Sequence, residues 1–188
     1  MVNKQRGLAP AEYAPASLGA PALVRDDSAG PVRSDVAAAL DQMSDAASAA
    51  GVGELTLNSG YRSYDTQVGN YSSHVSGFGQ AEADAVSARP GHSEHQTGLA
   101  ADVSACDPEC GGILDFGGTP GGVWVAENGW QYGFVVRYED GLTGTTGYAP
   151  EPWHLRYIGP ELARAYHEGG YRSLEQFFAL PDAPAYAY

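Results

Sequence analysis

The chain has 188 residues, 23 Asp and Glu against 10 Lys and Arg, and a formal net charge of −13. That balance excludes the basic patch of a nucleic-acid binder and the polybasic segment of a membrane-surface anchor. A hydrophobic share of 43% predicts one globular domain with its own core. No apolar run approaches the ~18 residues that a membrane span needs.

Residues 1–33 are rich in Pro, Ala and Gly and predict an extended arm lying on a domain that fills 34–180. Ser34 opens a helix with Val36, Leu40 and Met43 at i, i+4 and i+7, and Gly51 and Gly53 end it. Leu55–Ser59 alternates as a strand and stops at Gly60. Ser63 caps a helix from Tyr64 to about His74, with Asp65 in its first turn. A second short helix covers Gln80 to Arg89, before Pro90-Gly91. Leu99–Ser104 reads as a strand, and residues 105–121 as a Gly-rich irregular stretch.

A short helix is expected over Val123–Asn128, and Tyr132–Tyr138 is a core strand. Glu139-Asp140-Gly141 turns the chain towards a further strand, Trp153–Ile158. Pro160 starts a helix that ends at Gly169-Gly170, and Ser173-Leu174-Glu175-Gln176 is a capping box for a last short one. Residues 181–188 read as a loose tail. Helices and strands mix without a βαβ rhythm, so the class is α+β: a small domain with a central antiparallel sheet flanked by helices.

Cys106 and Cys110 cannot complete a four-ligand zinc site. Their spacing suits a tight disulfide loop, with two free thiols as the alternative. The first residues form no apolar leader, which leaves a cytoplasmic chain or a processed one.

Five histidines are present: His74, His92, His95, His154 and His167. His95 lies in Ser93–Asp102, and His154 in Glu151-Pro152-Trp153-His154. A catalytic zinc takes three N or O ligands and leaves one position open. His95, Asp102 and His154 would supply that set, with Gly98 turning the chain between the first two. Glu151 then remains as the general base towards water. Residues three apart on a plain strand face opposite sides, so Glu151 and His154 share a site only if the strand is irregular at Pro152. His74 and His167 are expected to be structural, and His92 structural or a wall residue beside His95. Ser93 lacks the setting of a nucleophile and is expected to hydrogen-bond near the ligands.

Four blocks together resemble the zinc D,D-carboxypeptidases of the VanY type. They are Ser59-Gly60-Tyr61-Arg62-Ser63 with Gln67, Ala88–Asp102, Tyr132–Tyr138 and Thr146–Tyr157. The resemblance implies a fold shared with the hedgehog signalling domain. It implies one zinc ion held by His95, Asp102 and His154, with Glu151 as base and proton shuttle. Arg62 is placed beside the scissile carbonyl. The implied reaction is hydrolysis of the terminal D-Ala from D-Ala-D-Ala-ending peptidoglycan stem peptides. Ser93, Gln67, a backbone donor, or Arg137 and Arg156 if their side chains face inward, would hold the substrate's carboxylate, with a structural ion pair as the alternative for Arg156; Tyr61, Tyr148 and Trp153 would line the cleft. The start of the chain looks like the family's mature arm, which favours processing and an extracellular or cell-envelope location. A monomer is expected. Rival readings are an L-alanyl-D-glutamate endopeptidase, a dipeptidase acting on free D-Ala-D-Ala, and a non-catalytic zinc-bearing wall-binding module.

Overall fold

A computed structural model describes residues 1–187. Strands β1 (Leu18–Gly19) and β2 (Val32–Arg33) pair antiparallel and lead into helix α1 (Ser34–Ala49). Then come β3 (Glu54–Ser59), α2 (Tyr64–Phe78), α3 (Gln80–Val86), β4 (Ala100–Cys106) and α4 (Pro120–Asn128). The chain continues with β5 (Phe134–Tyr138), α5 (Thr143–Thr146), β6 (Glu151–Tyr157), α6 (Pro160–Glu168) and α7 (Leu174–Phe177). Short 3-10 turns cover Glu94–Thr97, Ile113–Gly118 and Gly129–Tyr132. No described helix is long and apolar enough to cross a membrane.

The central sheet is antiparallel in the order β3-β4-β6-β5. Strand alternation gives it two different faces. Leu55, Leu57, Ala101, Val103, Phe134 and Leu155 face one side and join the main core. There they meet Val36, Leu40, Met43 and Ala47, the buried stripe of α1. Each Val, Leu, Met or Phe among them contributes about 1.5–3 kcal/mol on burial. The intervening positions, Asp102, His154, Arg156, Val135 and Arg137, therefore face the other side.

Two irregularities shape that second face. Leu57 pairs with Val103 and Ser59 with Asp102, so Asn58 is an extra residue on β3. On the far side Val136 pairs with Leu155 and Tyr138 with Glu151. Three residues of β6, Pro152, Trp153 and His154, thus stand against one of β5. This is the irregular start expected at Pro152. It places the first strand residue at Glu151, two before the expected Trp153.

Several boundaries differ from the sequence reading. Helix α2 runs on to Phe78 and stops at Gly79, whose φ of +82° favours glycine. Helix α3 ends at Val86, because Ser87 is extended and Arg89 turns back to pair with Asp84 at 2.9 Å. Strand β4 reaches Cys106, and Cys106 and Cys110 are joined by a disulfide.

Residues 181–187 of the tail pack on the domain, contrary to expectation, and residue 188 lies outside the described residues. Ala183 is buried and donates its N–H to the Thr145 carbonyl, and the buried Tyr186 hydroxyl accepts from the Arg89 N–H. Lys4, in the arm, lies over the Tyr148 ring and donates to the Asp84 and Gly147 carbonyls. The apolar rings of the tail cover surface that a loose segment would leave wet.

Candidate active site

His95 comes from the 3-10 turn Glu94–Thr97, which ends on Gly98 at φ +68°. Asp102 and His154 are direct cross-strand partners on β4 and β6. The sheet alone thus sets two of the three groups side by side, and the turn brings the third over them. Among the described residues, His95, Asp102 and His154 offer ligand atoms that all lie within 4.8 Å of one another. All three side chains are buried.

The polar geometry fits a cation. His95 Nδ1 lies 2.7 Å from the Gly60 carbonyl, which can only accept, so Nδ1 carries the proton and Nε2 presents a lone pair. His95 Nε2 lies 3.3 Å from Asp102 Oδ2, and His154 Nδ1 lies 3.1 Å from Asp102 Oδ1. Tetrahedral zinc with bonds of about 2.0–2.2 Å needs ligand separations of about 3.4 Å. Asp102 Oδ1 is buried and has no hydrogen-bond partner. A His-Asp-His set with an unsatisfied carboxylate oxygen suits zinc.

Charge follows the geometry. Burial alone would raise the Asp102 carboxyl, but the His95 and His154 rings outweigh it and hold the group well below the usual carboxylate range. Burial and the Arg62 charge lower His95. Burial also acts to lower His154, yet the Asp102, Glu94 and Glu151 carboxylates reverse this and raise it to about 9. Burial, aided by Asp102, pushes Glu151 up to about 7 against the pull of His154 and Arg62.

One consequence is measurable. In the metal-free protein a proton on His154 competes with zinc below about pH 9. Zinc affinity is expected to rise about tenfold per pH unit between pH 7 and 9 and then level off. Calorimetry in buffers of different ionisation enthalpy should record about one proton released per zinc near pH 7.5. A pH-independent affinity would contradict this account of His154.

A cleft of about 380 Å³ opens over the three groups. Its walls include Arg62, Gln67, Ser93, Tyr148, Glu151 and Trp153, all expected on the substrate or catalytic side. Glu151 Oε2 lies 3.5 Å from His154 Nδ1. Arg62 is aimed by two neighbours: its Nε donates to Gln67 Oε1 at 3.2 Å and its Nη1 to Ser59 Oγ at 2.9 Å. Gln67 spends its other end on the Ala88 carbonyl, at 2.6 Å. Its amide is therefore used to orient Arg62 rather than left for a ligand.

Other expected substrate contacts are placed elsewhere. Tyr61 does not line the cleft, because its backbone N–H is bound to the Pro31 carbonyl and the chain there follows the arm. Arg156 shares the face of His154, as the spacing requires, but lies below the cleft, with Nη1 2.7 Å from Glu94 Oε1. Arg137 is likewise buried, on Glu94 and Glu175. His92 bonds the Asn3 carbonyl away from the site, and His167 stacks on Trp130.

Other wall residues were missed. Tyr138, read as core strand, lines the cleft with its ring 4.9 Å from that of His154. Asn70 and His74 join Gln67 at i, i+3 and i+7 on one face of α2. That helical spacing was visible in the sequence, but nothing there said which face of α2 met the site. A larger groove of about 930 Å³ runs along β5 and α6; among the described residues the His-Asp-His group lines the smaller cleft and not this groove.

A buried His-Asp-His set beside a raised carboxyl and an aimed guanidinium has the make-up of a candidate metal centre. The sequence matches the VanY family, D-alanyl-D-alanine carboxypeptidase, over residues 30–160, and the chain belongs to that family. It is 40% identical over 182 residues to the Bacillus subtilis (strain 168) protein YodJ, covering 95% of this chain and 66% of that one. The chain spans 37–66% of the length of the curated relatives it matches. Among solved structures, the LdcB LD-carboxypeptidase superposes with a TM-score of 0.86 at 38% identity, over 96% of this chain and 85% of that one. A mutant of the VanY D,D-pentapeptidase from a VanB-type vancomycin-resistance cassette, in complex with Zn(II), superposes with a TM-score of 0.78 at 29% identity, over 95% and 97%.

Proposed function

We propose that the chain is a zinc-dependent D,D-carboxypeptidase that removes the terminal D-Ala from peptidoglycan stem peptides ending in D-Ala-D-Ala. The observation that carries this reading is the convergence of His95, Asp102 and His154 beneath a cleft that also presents Glu151 and Arg62, in a chain of the VanY family. Bound zinc supplies a Lewis acid that polarises the scissile carbonyl and brings the pKa of water towards about 7.

Each side chain then has a task. Glu151 takes the proton of the attacking water at its carboxylate and returns it to the leaving amine of D-Ala. Burial raises this carboxyl and so works against the pull of the cation, which keeps it basic enough to hold the proton between the two transfers. Arg62, fixed by Ser59 and Gln67, donates to the oxygen that gains charge as the carbonyl is attacked. The Ser93 hydroxyl, buried on the cleft wall, is the candidate for holding the terminal carboxylate. Tyr148 and Trp153 supply apolar walls that keep bulk water from the reacting bond. A cell-wall stem peptide as substrate supports an extracellular or cell-envelope location.

The TM-score of 0.86 to an LD-carboxypeptidase favours a second reading, release of D-Ala from a neighbour of L configuration. One experiment separates the readings. The zinc-loaded protein is given pentapeptide and tetrapeptide stems, and released D-Ala and the remaining peptides are measured. Conversion of pentapeptide to tetrapeptide and no further supports the D,D reading. Tripeptide product supports the L,D reading, and cleavage after L-Ala would mark an endopeptidase. Intact peptides in the presence of bound zinc would overturn the enzyme reading in favour of a wall-binding module.

A further inference from the structure

The two ring nitrogens of His154 have different surroundings. Nδ1 faces Asp102 and the ligand cluster. Nε2 points the other way and lies 3.6 Å from Glu94 Oε2. Both of those atoms are buried, and neither has a hydrogen-bond partner. Two orphaned buried polar atoms that face each other call for an explanation, because such groups are almost always paired. A closure of about 0.7 Å would bring them to the ~2.9 Å of a charge-assisted N–H···O bond.

Glu94 is held where this closure needs it. Its Oε1 accepts from Arg137 Nε at 3.0 Å, and Arg156 Nη1 lies 2.7 Å from the same oxygen. Oε2 is thereby left for His154. Arg137 in turn forks onto Glu175, Nη1 to Oε2 at 3.0 Å and Nη2 to Oε1 at 2.7 Å. Asn3 Nδ2 donates to Glu175 Oε1 at 3.0 Å and closes the network from the arm. Two carboxylates balance two guanidiniums, so the network needs no charge from His154. Glu94 also neighbours His95, so one short turn supplies a ligand and backs another.

We propose that Glu94 is a positioning residue of the metal centre. It accepts the Nε2–H of His154 and so fixes the tautomer and ring orientation that present Nδ1 to zinc. Arg137 and Arg156 serve the centre indirectly, by fixing Glu94. The proposal rests on the reading of His95, Asp102 and His154 as zinc ligands.

The test measures zinc affinity by competition with a chromophoric chelator in the wild type, Glu94→Gln and Glu175→Gln. In Glu94→Gln the amide oxygen turns to the guanidiniums, and the NH2 group then faces Nε2–H donor to donor. Zinc binding is expected to weaken about 10–100-fold. The visible spectrum of the cobalt-substituted protein should change as well. Glu175→Gln removes the same charge from the same network without touching His154. It is expected to lower the thermal midpoint and leave zinc affinity within about twofold. Unchanged affinity in Glu94→Gln, or an equal loss in Glu175→Gln, would overturn the proposal. If Glu94→Gln does not fold, nitrogen-15 histidine spectra of the zinc-loaded wild type decide. His154 should be protonated and slowly exchanging at Nε2 and ligated at Nδ1, and ligation through Nε2 would refute the role. A wild type that binds no zinc removes the site reading itself, and this proposal with it.

Discussion

Glu151→Gln is expected to keep zinc and lose turnover, with kcat lowered by about 10²–10⁴-fold. The amide is nearly isosteric with the carboxyl but cannot take a proton from water or return one to the leaving amine. Because Glu151 is not one of the three clustered ligand groups, zinc content by elemental analysis should match the wild type. KM should move little, because the substitution leaves the Tyr148 and Trp153 walls intact. The pH profile gives a second readout. Burial raises the metal-free Glu151 carboxyl to about 7, and a cation a few ångströms away pulls it down again. The acidic limb of kcat/KM in the zinc-loaded wild type should therefore lie below pH 7, with activity rising as Glu151 ionises. That limb should vanish in Glu151→Gln. Wild-type turnover in the variant would remove Glu151 from the chemistry.

Arg137→Met is expected to be the most damaging single change to stability. Arg137 is about 1% exposed, with Glu94 and Glu175 both against its guanidinium. Removing it leaves two buried carboxylates short of a partner, a loss of about 3–5 kcal/mol. For a chain of this size that lowers the thermal midpoint by about 6–20 °C. The deficit should shrink as pH falls. In the wild type, burial acts to raise Glu94, but the Arg156 and Arg137 charges outweigh it and hold the group well below the usual carboxylate range. That stabilisation is present above the ordinary glutamate value and is lost only as pH falls through the lower folded one. Without Arg137 the Glu94 carboxyl loses one of the two charges that hold it down and can take up a proton at milder acidity. Denaturant titrations at pH 7 and pH 5 would check this. The reading of the network fails if the deficit is the same at both. Arg137→Met with Glu175→Gln should recover part of the loss.

Most of the sheet and all three ligand groups were legible in the sequence, for physical reasons that apply unevenly. The stripe Val36, Leu40, Met43 has only one helical explanation, and α1 lies where it puts it. Pro152 donates no ladder hydrogen bond and so favours an irregular entry to the strand, and the bulge sits there. Long-range partners left no such trace. Nothing local to Arg156 says that Glu94 waits beneath it, so its place on the correct face leaves a substrate contact and a structural ion pair equally open, and the structure has the ion pair. Nothing local to Ala183 and Tyr186 says that Thr145 and Arg89 will bind them, so the tail read as loose. Glu94 was overlooked because its charge is answered by residues 43 and 62 positions away in the chain.

The bulge in β6 also acts as a gauge of length. The stretch between β4 and α4 carries the disulfide and the Ile113–Gly118 turn, mostly on the surface, where added or missing residues change only a rim. The four residues from Glu151 to His154 have no such freedom. Remove one, and the side-chain parity of the segment inverts relative to Leu155, which is anchored in the core. Either the histidine or the glutamate would then turn away from the cleft. In relatives of this fold, insertions and deletions should therefore gather around the rim and spare that tetrad, even where its individual residues drift.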